Sequence, residues 1–490
     1  MGEAGIRGIV MINYGDYCKQ FCDLEKREKL FSLEYNGVKY WKYARYIMFE
    51  FLGRKLFGLA ESSWLNPENK MKNSKYKYKY QKYTDVFFHS VNFTPKKDVL
   101  MFTFPRRVKY NNKYVSPVTD EIVLHSKRSM CVVETPYYDG YYRPTPIRGI
   151  KYFNPWEGVL DEKKVYTPIN RGELRKQLLQ IFENEFDIQF TVQEKKEFLL
   201  NINRCIMFRD ELMARYKKII SKVNPKVVLY TMSYINEWVV LTETLKEMNI
   251  PGIEILHGYV DDTCVAYNYA EIGLNDSLPD YIFAYSQVQK DTLNWGIPKE
   301  RVRVVGNPWL EKRKKDLLAT KDIQGKKKHI LFISSMAQSI EKYIVYLADK
   351  IDYNKYEIIF KLHPEEYGCW ETIYKKLPGG VEVVDNGEND IHYYLARADF
   401  VIGITSTALF EAAIYSARII VLEEESWQSM GILLKADGAV LIHDAQELFS
   451  FITSDSARKA KKAACFYAEN AIENINNEIE KIITEREKGC

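Results

Sequence analysis

Several features are missing from this chain of 490 residues, and each absence excludes something. No uninterrupted apolar run approaches the roughly 18 residues that mark a membrane-crossing helix. The first residues lack the pattern of a cleavable leader, so a cytoplasmic protein with at most peripheral membrane contact is expected. The eight cysteines form no paired CxxC motifs, with Cys18 and Cys22 the only close pair, so reduced thiols are expected rather than a disulfide framework. No GxGxxG follows a strand and no GxxxxGK[ST] loop occurs, which disfavours dehydrogenases and P-loop hydrolases. There is also no DxD triplet to hold a divalent ion on a sugar nucleotide, and no HxxxH or cysteine cluster for zinc. A site that works without metal or cofactor is therefore expected.

Excess charge is missing too. A formal net charge of +4 argues against a general nucleic-acid binder. The local exception is residues 69–83, NKMKNSKYKYKYQKY, with six lysines and no acid. It suits an anionic membrane surface or polymer, and equally an edge strand or solvated loop guarded by lysine.

What is present is an ordinary globular composition, 46% hydrophobic, long enough for two or three domains. The first ~150 residues are aromatic-rich and irregular, with candidate strands GIVMIN (Gly8 to Asn13), DVLMFTF (Asp98 to Phe104) and MCVVET (Met130 to Thr135). WKYARYIMFEFLGRKLF between the first two is amphipathic, and residues 171–223 have helical spacing. After Pro225, short apolar runs alternate with helical stretches: VVLYTMSY, GIEILHG, YIFAYS and VRVVGNP, then HILFISS, YEIIFKLHP, VEVVD, DFVIGI, RIIVLEEE and AVLIHD. Such alternation implies parallel sheets. The expected division is a first lobe over 1–310, a lysine-rich linker over 311–328, a second lobe over 329–455 and an amphipathic C-terminal helix over 456–490. That helix carries Ala468, Ile472, Ile475, Ile479 and Ile482 on one stripe, to cross back over the first lobe or to form a dimer seam.

Candidate site residues fall where strands end, since open α/β sheets bind ligands beyond their carboxyl edges. His257 with Gly258 ends GIEILHG. The histidine fits a general base or phosphate donor, and also a satisfied strand cap. Lys361, His363 and Pro364 end the YEIIF strand, where proline holds its predecessor extended so that the ring can project; an incidental turn histidine is the alternative. Thr405, Ser406 and Thr407 open a helix that contains Glu411. Hydroxyls and free N–H groups there suit a phosphate, or cap a helix. Glu411 suits ribose hydroxyls or is a first-turn acid. Ser334 and Ser335 add a further phosphate contact or a cap.

At these residues the chain resembles two-Rossmann (GT-B) glycosyltransferases of bacterial surface-polysaccharide synthesis. His363–Pro364 and Ser406–Thr407 are similar to the HP motif and hydroxyl pair of the bacterial sialyltransferase and capsule Kdo-transferase group. His257–Gly258 is similar to the first-lobe histidine-glycine of teichoic acid glycerophosphotransferases. The resemblance covers roughly residues 225–440. It implies an α/β fold of two Rossmann-like lobes facing a cleft, a CMP-linked or other nucleotide-linked donor, metal independence and, usually, inversion. The acidic triplet that supplies the base in sialyltransferases is absent; the nearest pieces are Asp139–Gly140 and Asp261–Asp262.

The expected function is a metal-independent glycosyltransferase moving a sugar to an oligosaccharide or lipid-linked glycan acceptor, with no nucleic-acid partner. His257 or Asp139 would take the acceptor's proton. Lys361, His363, Pro364, Ser406, Thr407, Ser334, Ser335 and Glu411 would hold the donor nucleotide. The alternatives are a CDP-polyol phosphotransferase, a sugar-nucleotide 2-epimerase and a non-catalytic assembly protein on the same scaffold.

Overall fold

The computed structural model describes residues 12–35, 37–57, 89–137, 140–155, 178–319, 327–415, 417–436, 438–454 and 466–489. The lysine-tyrosine segment 69–83 and Asp139 lie outside them, as does most of GIVMIN. The end of that expected strand opens a helix instead: Asn13 is its N-cap, accepting from Asp16 N.

The first lobe is built on β1 (Val99–Thr103), β2 (Met130–Glu134), β3 (Lys151–Tyr152), β4 (Val227–Tyr230), β5 (Gly252–Ile255), β6 (Tyr281–Ala284) and β7 (Val302–Val304). All neighbours pair in parallel, in the order β7-β6-β5-β4-β1-β2-β3. The second lobe contains β8 (Lys328–Ile333), β9 (Tyr356–Lys361), β10 (Val381–Val384), β11 (Phe400–Gly403), β12 (Arg418–Leu422) and β13 (Ala439–Ile442). Their order is β10-β9-β8-β11-β12-β13, again all parallel. Central strands such as VLMFT and VVLY are buried at every residue, which is why they read as continuous apolar runs rather than alternating ones. In both sheets the chain starts near the middle, winds one way and then returns to wind the other. The reversal at β1/β4 and at β8/β11 opens a crevice at the carboxyl ends of those strands. This is the two-lobed Rossmann-like architecture expected from the sequence.

Helices α1 (Tyr14–Arg27), α2 (Trp41–Phe57) and α3 (Val192–Val223) accompany the first lobe. A capping box, Thr191 with Glu194, opens the long α3. The lysine-rich stretch expected as a linker is helical at its start: α4 (Pro308–Leu318) has Asn307 as N-cap and proline at its first position. Arg313 within it is buried against Asp390, with both carboxylate oxygens 2.7 and 2.9 Å away. Two short helices, α5 (Ile391–Leu395) and α6 (Ala408–Ala412), flank β11.

The final helix, α7 (Ala471–Gly489), starts later than the expected stripe. Ala468 precedes it and donates its N–H to Tyr285 O, and Ile472 is half-buried. Ile475, Ile479, Ile482 and Ile483 join the core beneath β1 and β4. Each such burial stabilises by about 1.5–3 kcal/mol. Arg128 forks onto Glu480 at 2.5 and 2.6 Å, and Glu311 of α4 accepts from Ala471 N at 3.0 and 3.1 Å. α7 therefore crosses back onto the first lobe. No helix among the described residues is long and apolar enough to cross a membrane.

Candidate functional site

The first-lobe wall of the crevice begins after β1, where Pro105 leads into two adjacent arginines of opposite fate. Arg107 is buried; its Nε meets Glu134 at 2.9 Å and its Nη1 meets Asp120 at 2.8 Å and Tyr114 O at 3.1 Å. These bonds fix the loop. Arg106 is exposed and makes no hydrogen bond or ion pair with the described residues. Two strands over, the loop after β5 carries His257. Tyr285 holds that loop by donating to Leu256 O, and Gln289 Nε2 donates to Val260 O at 3.4 Å. The half-buried imidazole lies beside Phe104, Tyr234 and Tyr267, with ring centroids 5.6, 6.3 and 6.5 Å away. Burial, then the charge of Arg106, pushes its pKa down to about 4, so it is neutral at neutral pH. Gly258 does not adopt a positive φ, and a Cβ there would meet nothing within 4 Å. The backbone thus does not require glycine here for a turn; its missing side chain leaves open space beside the histidine.

The second-lobe wall comes from three adjacent strands, β9, β8 and β11. After β9, Pro364 keeps His363 extended at φ −67° and ψ 144°. Glu365 N donates to His363 Nδ1 at 3.3 Å, so a neutral ring carries its proton on Nε2. Glu366 Oε2 accepts from His363 N at 2.7 Å, and Glu366 Oε1 accepts from Tyr374 O–H at 2.6 Å. Tyr374 in turn lies 3.0 Å from Ser334 Oγ, which also accepts from Met336 N at 3.0 Å. Ser334 is therefore buried inside the network that supports His363. The Oγ of Ser335, beside it, is buried with no partner. Lys361 is buried too; its ammonium donates to the Tyr367 hydroxyl, to Asn386 O at 3.0 Å and to Leu362 O at 3.5 Å. Those three bonds commit it to the loops after β9 and β10 rather than to the crevice.

After β11, Ser406 Oγ accepts from Ala408 N at 3.3 Å, while Thr407 is exposed and caps no N–H. The helix they open has only five residues and tightens into a 3-10 turn at Ala413–Tyr415. Glu411 on it is pushed up to about 7 by burial and the nearby charge of Asp390, against the opposing charge of Arg106. His392 Nε2 lies 3.5 Å from Glu411 Oε2, and Tyr415 O–H lies 3.1 Å from His392 Nδ1. Burial pushes His392 down to about 4.

The lobes meet around these groups. Tyr259 stacks on Phe410 at 4.3 Å and on Phe466 at 4.8 Å, and Asp262 pairs with Lys435 at 2.7 Å. Asp261 is spent locally, accepting from Thr263 N and Oγ1 at 2.9 and 2.7 Å, and burial pushes it up to about 6. A cavity of 530 Å³ adjoins this loop, lined by Lys19, Asp262 and Thr263 on one side and by Trp427, Gln428 and Lys435 on the other. A second cavity of 300 Å³ lies behind the crevice, between α4 and the segment leading into α7, and is lined by neither His257 nor Glu411.

The structure thus brings His257 of the first lobe and Glu411 of the second under the charge of one cation, Arg106. Sequence reasoning identified the first two and missed the third. Its only signal was its place immediately beyond the strand DVLMFTF. Among the described residues no three His, Cys, Asp or Glu side chains are grouped to hold a metal ion.

No family model matches the chain, and no curated protein matches it. Among solved structures, the chain is similar to UDP-GlcNAc 2-epimerase from Neisseria meningitidis bound to UDP-GlcNAc, at 15% identity over 79% of this chain and 99% of that chain, with a TM-score of 0.49. It is similar to the UDP-GlcNAc 2-epimerase of Methanocaldococcus jannaschii at 14% identity over 78% and 99%, TM-score 0.47. It is also similar to CalG4, the calicheamicin glycosyltransferase, at 9% identity over 80% and 99%, TM-score 0.45. At these identities the likenesses assign no residue of this chain a role.

Proposed function

We propose that the protein is a metal-independent, inverting glycosyltransferase that uses a nucleotide-linked donor and extends a surface-polysaccharide glycan. The observation that carries the proposal is the unpartnered Arg106 shared between neutral His257 and Glu411 where the two sheets' carboxyl ends meet. An exposed guanidinium without a carboxylate partner is a ready site for a phosphate. The donor phosphates would lie between Arg106, the Nε2–H of His363 and the hydroxyls of Ser335, Ser406 and Thr407, with the ribose hydroxyls on Glu411. Lys361 and Ser334 would shape the loops that hold these groups. The acceptor hydroxyl would lose its proton to His257 as its oxygen bonds to the anomeric carbon. The bond from that carbon to the phosphate oxygen breaks, and its electron pair leaves on the nucleotide, stabilised by preorganised donors.

The test is a thermal-shift panel of CMP, CDP, UDP, GDP and their sugar conjugates, because a ligand bound only by the native state raises its apparent stability. A selective shift that is lost in Arg106→Ala supports the assignment. No shift with any nucleotide overturns it and favours a non-catalytic protein. With a donor in hand, His363→Ala should abolish turnover while the fold persists; near-normal activity would remove the phosphate site from this loop.

One observation favours a second function. Glu411, pushed up to about 7 and so able to hold or release a proton near neutral pH, shares the crevice with a neutral histidine. That pair suits a sugar-nucleotide 2-epimerase, which needs no acceptor. Product analysis with the sugar nucleotide alone separates the two.

A further inference from the structure

Beneath His257, β5 carries a group that packing does not explain. Glu254 lies between Ile253 and Ile255, fully buried in the middle of the first sheet. Its hydrogen-bond partners are all uncharged: Ser233 Oγ–H on Oε2, and Ser233 N–H at 3.3 Å together with Tyr267 O–H at 2.5 Å on Oε1. The ionisable groups around it include the tyrosine hydroxyls of Tyr230, Tyr234, Tyr267 and Tyr269, and among the described residues no cation pairs with it. A buried carboxylate without a countercharge costs several kcal/mol, and an apolar strand residue would serve the core better. Such a group beside a reactive one points to function.

The link to the reactive group is Tyr267. A phenol has one proton. Given to Glu254 at 2.5 Å, that proton is unavailable to His257, whose Nδ1 lies 3.5 Å from the same oxygen. The phenol oxygen can then only accept, which requires an N–H at Nδ1. The contact is long, as such contacts often are before a substrate closes the site. The other charged group bearing on His257 is Arg106.

We propose that Glu254 is a positioning residue that acts through Tyr267 to hold His257 in its Nδ1–H tautomer, leaving the Nε2 lone pair free to take a proton. With the carboxylate as terminal acceptor, the chain of donors runs one way: His257 Nδ1–H to Tyr267 O, Tyr267 O–H to Glu254. Removing the acceptor at position 254 frees it, whereas glutamine would keep its amide oxygen where Ser233 N–H and Tyr267 O–H both donate. With an apolar side chain there, the phenol proton turns to Nδ1, and the ring proton moves to Nε2, where a base must not carry one. The kinetic consequence rests on His257 being the proton acceptor proposed above; the tautomer itself does not.

The experiment is long-range ¹⁵N–¹H correlation on full-length protein labelled at histidine, with the His257 signals assigned by their loss in His257→Gln. The wild-type protein should show the Nδ1–H pattern. Glu254→Leu, which removes the acceptor, should show the Nε2–H pattern, and Tyr267→Phe, which keeps the ring and removes the relay, should show a mixture. An Nε2–H wild-type pattern, or a pattern unchanged in Tyr267→Phe, overturns the proposal, and Tyr267→Phe decides if Glu254→Leu does not fold. Once a transfer assay exists, Glu254→Leu should lower kcat by about 10²-fold or more with KM little changed. If the tautomers behave as expected but no nucleotide binds, the relay stands and the proposed function falls.

Discussion

Two neighbouring arginines show how much a single position decides. Arg107, enclosed by Glu134 and Asp120, is a buried ion pair whose removal strands two carboxylates. Arg107→Ala should cost about 3–5 kcal/mol of stability in a urea titration. Arg106→Ala, one residue earlier, should change stability by no more than about 0.5 kcal/mol, yet weaken nucleotide binding in the thermal-shift panel. Equal destabilisation by the two would mean that Arg106 is structural. Glu411 makes a pH prediction. Its folded pKa of about 7 stands above the ordinary 4.5, so between those values the folded state binds more protons than the unfolded one. Its contribution to stability therefore falls as pH rises through that window. Glu411→Gln removes this slope and should gain stability relative to wild type from pH 4.5 to 7, with the difference constant on either side. His392, held down near 4, gives the opposite slope and lies 3.5 Å from Glu411, so the comparison is made in a His392→Gln background, where that slope is absent. Denaturant titrations across pH 4 to 8 measure the difference directly.

Among the elements, the junction between β7 and the segment entering α7 is tight. Gly306 has φ +89°, and a Cβ there would lie 2.2 Å from Ala468 O. Gly306→Ala must strain the backbone and push the crossing segment away, so a loss of at least about 2 kcal/mol is expected by calorimetry. An unchanged melting profile would show that the crossing segment yields freely. Elements of this kind divide into those the sequence displays and those it conceals. VVLY, YIFA and YEIIF are legible because a parallel strand covered on both faces is one apolar run, whereas Trp41–Phe57, expected to be amphipathic, forms α2 with residues buried on every side rather than on one stripe. The lysines of α4 concealed a packed helix, since its anchor, Arg313, finds its partner in Asp390 of the other lobe. The site divides likewise. His257, His363 and Glu411 stand beyond recognisable strands. That Lys361 and Ser334 are committed within the lobe depends on Asn386, Tyr367 and Tyr374, which only the folded loops bring near. Arg106 belongs to no motif, and its freedom is a property of its surroundings.

For the molecule as a whole, the two lobes are joined near the crevice by the Tyr259, Phe410 and Phe466 stack and by an exposed ion pair, Asp262 with Lys435. The ion pair should contribute under about 1 kcal/mol, so of these two contacts the aromatic one is the stronger clasp, beside the buried Arg313–Asp390 pair farther along. Tyr259→Ala should open the crevice, raising the radius of gyration in small-angle scattering, and a bound nucleotide should restore it. No change in the free protein would place the clasp elsewhere. The crossing of α7 has a further consequence for how the protein is made. The core of the first lobe requires Ile475, Ile479, Ile482 and Ile483, which are synthesised after the entire second lobe. At about 5–20 residues per second, the first lobe waits on the order of ten to thirty seconds with its β1 and β4 face uncovered. The earlier half of the chain must then be shielded while the later half folds, and order of synthesis and order of completion run in opposite directions.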